Sequence, residues 1–277
     1  MQADLMDPSS VSETIWCANR KQYDSVYSRY EEVRHELDQI AEQGAETLSF
    51  RLRSFAPLSG QDLRRYVGWL RPFISAGSHR NILLDAGAGL GGLAWWLSEN
   101  VPCEAVALDH SSVACHVGRR TFSSADRARY VVGDLHAVPL RQNTVWAVVS
   151  IDALHLVGVK GRVLREVARV LRPGGPLIFS VLSASGESHE TGARCWRALL
   201  DKAAFAVLEA RDTTESWRRE MRRRHQARWS NRHEIVRRIG SAAEKELIVT
   251  RSMLGMDGFR SVIENCHRSE FLATSPL

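Results

Sequence analysis

Residues 81–92 read Asn-Ile-Leu-Leu-Asp-Ala-Gly-Ala-Gly-Leu-Gly-Gly. Asn81 to Leu84 is a short apolar run, a strand signal, and Leu93 to Glu99 carries a helix pattern. A glycine-rich turn from strand to helix lets a ligand approach the backbone, and the helix start offers N–H groups without intrahelical partners. The turn alone does not name the ligand, because dinucleotide folds use a related device. The sequence on its far side decides the fold. A second strand, Cys103 to Leu108, ends in Asp109, and Ser111 or Ser112 can cap a helix running through Arg120. Ala128 to Val132 reads as a third strand ending in Gly133-Asp134, and Val145 to Ile151 as a fourth. A helix from Lys160 to Leu171 stops at Arg172-Pro-Gly-Gly175 and feeds a fifth strand, Leu177 to Leu182. Such alternation predicts β-α-β units and a parallel sheet, with right-handed crossovers bringing all strand carboxyl ends to one ligand-binding edge.

Beyond this unit the pattern predicts a helix over Thr191–Ala204, a strand over Ala206–Ala210 and a long Arg-rich helix over Thr214–Ile239. A helix around Asp257–Cys266 and a strand over Glu270–Ala273 then close the sheet. Upstream, Trp16, Tyr23, Val26, Tyr30, Val33, Leu37 and Ile40 recur every three to four residues or at multiples of that spacing, a narrow helical seam with Ser10 or Ser12 as N-cap. The seam must cover either the chain's own crevice or a second copy. The expected division is an N-terminal helical arm, residues 1–70, and a main α/β domain, residues 71–277, with a helical insert at about 214–240.

Composition excludes several classes. Of 277 residues, 44% are hydrophobic and 25% charged, unlike collagen-like or disordered chains. Met1 to Asp7 carries two Asp and no Lys or Arg, so no secretory signal is read. The most apolar stretch, Val145 to Val159, is broken by Asp152 and His155 and is too short to span a bilayer. Five cysteines without a C-x-x-C indicate neither a zinc site nor a disulfide framework, which points to a reduced cytoplasm and no metal. The net charge of +5 is local: ten Arg between Arg211 and Arg238 face only four acids, and the rest of the chain is close to neutral.

Three carboxylates, Asp85, Asp109 and Asp134, follow the first three strands and are expected around one crevice. They oppose a pyrophosphate but suit a cationic sulfonium: Asp85 near its amino-acid end, Asp109 on the ribose hydroxyls, Asp134 on the adenine amine. Each also has a structural alternative as a helix cap or a solvated strand end.

Four segments together resemble the class I S-adenosylmethionine-dependent methyltransferases, in the branch that acts on small natural products. They are LLDAGAGLGG (83–92), AVALDHS (105–111), VVGDLHAVPL (131–140) and DALHLV…LREVARVLRPGG (152–175), in the family's order. The resemblance implies a Rossmann-like, doubly wound α/β fold with a seven-stranded, mostly parallel sheet, an N-terminal helical arm and a helical lid insert. It implies S-adenosyl-L-methionine as cofactor, held by Asp85, Gly87, Gly89, Asp109, His110, Asp134, Leu135 and His136. His155 corresponds to a base or substrate contact in small-molecule relatives, with a loop hydrogen bond as its structural alternative. Tyr23 and Tyr27, the other two catalytic candidates beside His155, lie on a helix that relatives use as a lid over cofactor and substrate, with structural packing as their alternative. Some bacterial C-methyltransferases exchange that helix between subunits, which makes a homo-oligomer the expected assembly. Trp217, Met221 and Trp229, on one stripe of the insert, would line a substrate pocket or simply pack in the core. The substrate implied is a small apolar or aromatic metabolite, with C- or N-methylation ahead of O-methylation. No Asn/Asp-Pro-Pro-Tyr/Phe follows strand four, and the one Pro-Cys, Pro102-Cys103, precedes strand two, which argues against two nucleic-acid methylase chemistries. The rival readings are a methyltransferase-like cyclase or non-methylating cofactor-binding protein and, behind it, an RNA methyltransferase.

Overall fold

The computed structural model describes residues 20–29, 33, 35–41, 51–74, 81–122, 127–183, 189–256, 258 and 260–277. Helices α1 (Arg20–Arg29), α2 (His35–Ala41) and α3 (Gly60–Leu70) precede β1 (Ile82–Ala86). Then come α4 (Gly92–Asn100), β2 (Glu104–Asp109), α5 (Ser112–Thr121), β3 (Ala128–Val132), β4 (Ala147–Ile151), α6 (Lys160–Val170) and β5 (Pro176–Ser183). The chain continues through α7 (His189–Lys202), β6 (Ala206–Asp212), α8 (Thr214–Ser230), α9 (Arg232–Ile239), α10 (Ala242–Leu254) and β7 (His267–Thr274).

The strands form one seven-stranded sheet in the order β3-β2-β1-β4-β5-β7-β6. β1 pairs in parallel with both β2 and β4, while β7 runs antiparallel between β5 and β6. The order reverses between β1 and β4, and that switch point opens a crevice at the strands' carboxyl ends. Successive strand side chains point to opposite faces, so two cores form. Leu84, Val106, Leu108, Val148, Phe179 and Phe271 pack with Leu164 and Val167 of α6 and Leu200 of α7. Leu83, Ala105, Ala107, Val149, Ile178 and Leu272 pack with Leu63 and Leu70 of α3 and Leu93 and Leu97 of α4. Covering both faces explains why β1, β2 and β4 read as unbroken apolar runs rather than alternating ones.

Three expectations change. Residues 258 and 260–266 form turns; the helix lies earlier, at α10, so the insert runs to Leu254. The Arg-rich stretch is two helices broken at Asn231, whose side-chain amide donates to the Ala227 carbonyl and stands in for continued helix. The apolar seam likewise serves two separate packing partners. Tyr23 and Tyr27 of α1 join Leu90 and α5 residues Ala114 and Val117, whereas Leu37 and Ile40 of α2 are buried against Ile235 and Ala243 of the insert. One large apolar side chain contributes roughly 1.5–3 kcal/mol on burial, and these residues gain it within a single chain. Covering them therefore requires no second copy. Trp16 and Tyr30 lie outside the described residues.

Candidate active site at the carboxyl edge of the sheet

The glycine loop is sewn onto the end of β2. The N–H groups of Gly87 and Ala88 donate to the Leu108 carbonyl at 2.9 and 3.0 Å, and the Gly89 N–H donates to Asp109 Oδ2 at 2.8 Å. Asp109 Oδ1 accepts the Ser111 N–H at 2.9 Å. Each carboxylate oxygen thus holds one backbone amide and keeps acceptor capacity for a ligand hydroxyl. Burial raises the Asp109 carboxyl above its ordinary value; the two amides and His110 work against this, and the Asp24 carboxylate adds to it.

Asp85 has a different job. The N-cap of α4 is Gly91, which has no side chain to satisfy the first turn, and Asp85 Oδ2 accepts the Ala94 N–H at 3.2 Å in its place. Asp85 is 3% exposed, so it sits beneath the helix end rather than in the open crevice. Burial pushes its carboxyl up to about 7, the Ala94 N–H offsets this in part, and Asp109 adds to the rise. Asp134, by contrast, is exposed, and its Oδ1 holds both the backbone N–H and the imidazole Nδ1 of His136 at 2.8 Å. Partial desolvation opposes the shift, yet the His136 contacts hold Asp134 below the usual carboxylate range. Leu135 turns inward and is buried beside Val138 in the first core.

Helix α1 lies over this half of the edge. The Tyr23 ring meets His110 edge-on at 4.8 Å, and Asp24 Oδ1 accepts the Ser111 hydroxyl at 2.5 Å. Tyr27 is buried against Phe55 with its hydroxyl over Gly89, where a Cβ would stand 2.7 Å from that oxygen. Only glycine fits there, at φ +55°. Asp24 and Phe55 were not legible as site residues in the sequence; helical spacing from Tyr23 and Tyr27 is the one signal that reaches Asp24.

The other half gathers at the ends of β4, β5 and β7. Asp152 follows β4 with φ +52°, and its Oδ1 accepts the Ser180 hydroxyl at 2.6 Å and Arg268 Nε at 2.9 Å. Arg268 reaches Glu270 at 2.7 Å, and Glu270 also holds the Tyr66 hydroxyl at 2.8 Å and Arg65 Nε at 2.9 Å. Sequence reading missed this network. Its one trace is a pair of opposite charges two residues apart in a strand, which places both on one face. His155 follows on a short 3-10 turn, with its Nδ1 facing the Leu182 N–H at 3.4 Å. Desolvation pushes its imidazole down to about 4, Asp152 pulls it up, and Lys160 and Arg268 press it further down. The ring is therefore neutral at pH 7.

Leu182 also packs against Trp217 and Met221 of α8, with Ile263 and Cys266. Trp229 does not join them. Twelve residues further along a helix of 3.6 residues per turn it has rotated by about a third of a turn, and it lines a cavity of about 380 Å³ between α8, α9 and α10, where Arg232 stacks on its ring. None of the glycine-loop residues borders that cavity. Much of the insert's basicity is spent inside the chain. Arg218 and Arg224 donate to backbone carbonyls, Arg228 is buried on Asp38, and Arg222, Arg223, Arg237 and Arg238 pair with Glu264, Glu220 and Glu234.

The fold and edge thus define a doubly wound α/β protein whose crevice presents a glycine cradle lined by carboxylates, a setting for a small cationic or neutral ligand rather than a pyrophosphate. Residues 83–175 match the family described as "Methyltransferase domain". The chain is 34% identical over 140 residues to a malonyl-[acyl-carrier protein] O-methyltransferase of Enterobacter lignolyticus (strain SCF1), covering 48% of this chain and 51% of that one. It is 27% identical to methyltransferase GfsG of Streptomyces halstedii, covering 52% and 59%. The chain spans about half the length of the curated relatives it matches. Among solved structures, the [4+2]-cyclase SpnF superposes with a TM-score of 0.68 at 19% identity, over 94% of this chain and 97% of that one. At this identity the likeness carries the fold. Residues 83–175 thus carry the match to the methyltransferase domain family, within a chain whose fold is that of the superposed structure.

Proposed function

We propose that this protein transfers a methyl group from S-adenosyl-L-methionine to a small apolar or aromatic molecule. The observation that carries the reading is the glycine loop anchored on Asp109, with Asp85 and Asp134 as the further carboxylates of that half. Gly87, Gly89, Asp109 and Asp134 would hold the cofactor. The open acceptor positions of Asp109 suit the ribose diol, Asp134 Oδ2 suits the adenine amine, His110 and His136 flank the nucleoside, and Tyr27 closes over Gly89. Asp85 would act beneath the cradle, fixing the helix end and balancing ligand charge.

When bound, the cofactor supplies a methyl group already activated on sulfonium, so the protein's task is alignment and, where needed, deprotonation of the acceptor. A neutral His155 can accept that proton or a hydrogen bond from the acceptor group. Leu182, Trp217 and Met221 beside it form an apolar wall for the substrate body. Carbon or nitrogen acceptors on an aromatic frame are proposed ahead of oxygen acceptors.

Calorimetry with S-adenosylmethionine and S-adenosylhomocysteine, followed by transfer of a labelled methyl group to a panel of aromatic and aliphatic acceptors, tests the proposal. Binding and transfer are expected. Binding without transfer to any acceptor would point to the cyclase or non-methylating reading, and tight, salt-sensitive RNA binding to the RNA one. His155→Ala should cut turnover while leaving cofactor affinity within about twofold; equal losses of thermal stability and turnover would make His155 structural.

A further inference from the structure

Asp152 stands at the hinge between the two halves of the edge. Its φ of +52° is a left-handed conformation that a non-glycine residue adopts at a cost and keeps only where neighbours hold it. The turn has two consequences. It presses Ala153 against the glycine loop, so that a Cβ on Gly87 would stand 2.6 Å from the Ala153 Cβ. It also sets His155 under the amide of Leu182. What holds the turn is a set of bonds converging on one hydroxyl and one guanidinium. The Asp152 N–H donates to the Ser180 carbonyl and hydroxyl at 3.1 and 3.0 Å, and that hydroxyl donates to Asp152 Oδ1 at 2.6 Å. Arg268 donates to Asp152 from Nε at 2.9 Å and to the Ser180 hydroxyl from Nη2 at 2.9 Å. Its Nη1 is tied to Glu270 at 2.7 Å and Thr213 at 3.2 Å, so the guanidinium has no freedom to turn away. Arg268 lies opposite Leu182 in the β5–β7 pairing, directly across from the amide that meets His155.

Burying such charges rarely adds stability over well-packed apolar side chains, whereas here the directional bonds of Arg268 hold one arrangement of Asp152 and Ser180. We infer that Arg268, acting through Ser180 and Asp152, is a positioning residue that sets the Gly87 wall of the cofactor cradle and the place of His155 together. The cradle arm of this inference rests on the cofactor reading above; the His155 arm does not.

Two measurements on the full chain test it: calorimetry with S-adenosylmethionine, and the titration of the His155 ring followed by NMR. Arg268→Met strands Asp152 and Glu270 without their shared cation and can fail to fold, so Ser180→Ala, which removes only the bridging hydroxyl, is the deciding variant. Its cofactor affinity should fall roughly three- to tenfold. The His155 titration should move upward from about 4 as the released Asp152 carboxylate turns toward the ring, with Lys160 and Arg268 the other charges acting on it. Asp152→Asn keeps an acceptor for Arg268 and tolerates a left-handed backbone, so it should lose less cofactor affinity than Asp152→Ala. Wild-type affinity together with an unmoved His155 titration in folded Ser180→Ala overturns the inference. If the wild-type protein itself binds no cofactor, the proposed function fails and the His155 titration alone decides the positioning role.

Discussion

At the β1–β2 end of the carboxyl edge, carboxylates are satisfied by backbone amides close in sequence; at the β4–β5–β7 end they are satisfied by guanidiniums far away. Asp109 takes the amides of Gly89 and Ser111, 20 and 2 residues distant, and Asp85 takes that of Ala94, 9 residues distant. Asp152 and Glu270 depend on Arg268 and Arg65, at separations of 116 and 205 residues. The first half is therefore set by one β-α-β unit. The second closes only when β7 inserts antiparallel between β5 and β6. A motif can be perturbed in the first half without unfolding the chain, while in the second half a change to one of the ion-paired side chains alters site geometry and stability together.

The sharpest way to break this contrast is Glu270→Leu. Removing the anion leaves the fully buried Arg268 with Asp152 as its remaining carboxylate and the part-buried Arg65 with Asp62, and breaking a buried pair in this way costs about 3–5 kcal/mol. Urea unfolding should show that loss as a lowered midpoint at unchanged slope. A loss under about 1 kcal/mol would mean that the far half is no more tightly built than the near half. Asp109→Ala is the matching test on the other side. Charge-assisted bonds to two ribose hydroxyls contribute about 1.5–3 kcal/mol, so cofactor affinity should drop roughly 10- to 150-fold in a protein that still folds. Unchanged affinity by calorimetry would remove Asp109 from the site.

The same contrast decides what could be read beforehand. Periodicity and turn residues located β1 to β5 within a residue or two, because each is bounded by a glycine, a proline or a carboxylate close at hand. The three strand-end acids were legible as a set, yet their differing settings were not. That Asp85 caps α4 follows from Gly91 standing at the N-cap, a consequence of the fold rather than of the motif. The α8 stripe was read as one face, but the 40° gained at every four-residue step carries Trp229 away from Trp217 and Met221. Arg268 and Glu270 could not be assigned from spacing, since pairing across more than a hundred residues leaves no local pattern. Nor could the seam be split between α1 and α2 without knowing that the insert folds back onto Leu37 and Ile40.

Asp85 offers a finer comparison, between a carboxylate that touches a ligand and one that supports its cradle. Its folded value of about 7 stands well above the ordinary 3.8, so the folded chain holds a proton there that the unfolded chain has lost. Asp85 thus lowers folding stability as pH rises from about 4 to 7. A cationic ligand favours the ionised form, so S-adenosylmethionine affinity should rise with pH, by about tenfold at most between pH 6 and 8, and then level off. Asp85→Asn keeps an acceptor for the Ala94 N–H and should flatten both profiles. An affinity profile that stays as steep in Asp85→Asn would assign the titration to another group.

The smallest expected effect separates the lid from the chemistry. Tyr27 brings its hydroxyl over Gly89 while its ring packs on Phe55, so Tyr27→Phe keeps the packing and removes one polar atom. A single neutral hydrogen bond contributes about 0.5–1 kcal/mol net, which corresponds to roughly a two- to fivefold loss of cofactor affinity. If Tyr27 acts as a lid residue of the near half, that loss should appear in the KM for S-adenosylmethionine, with kcat held within about twofold. If it serves the transfer step, kcat should fall while the cofactor Kd stays at the wild-type value. Tyr23→Phe supplies the control, since its contact is the ring edge on His110. A fall in kcat confined to Tyr27→Phe would move a residue of α1 from the cofactor half of the edge into the reacting centre.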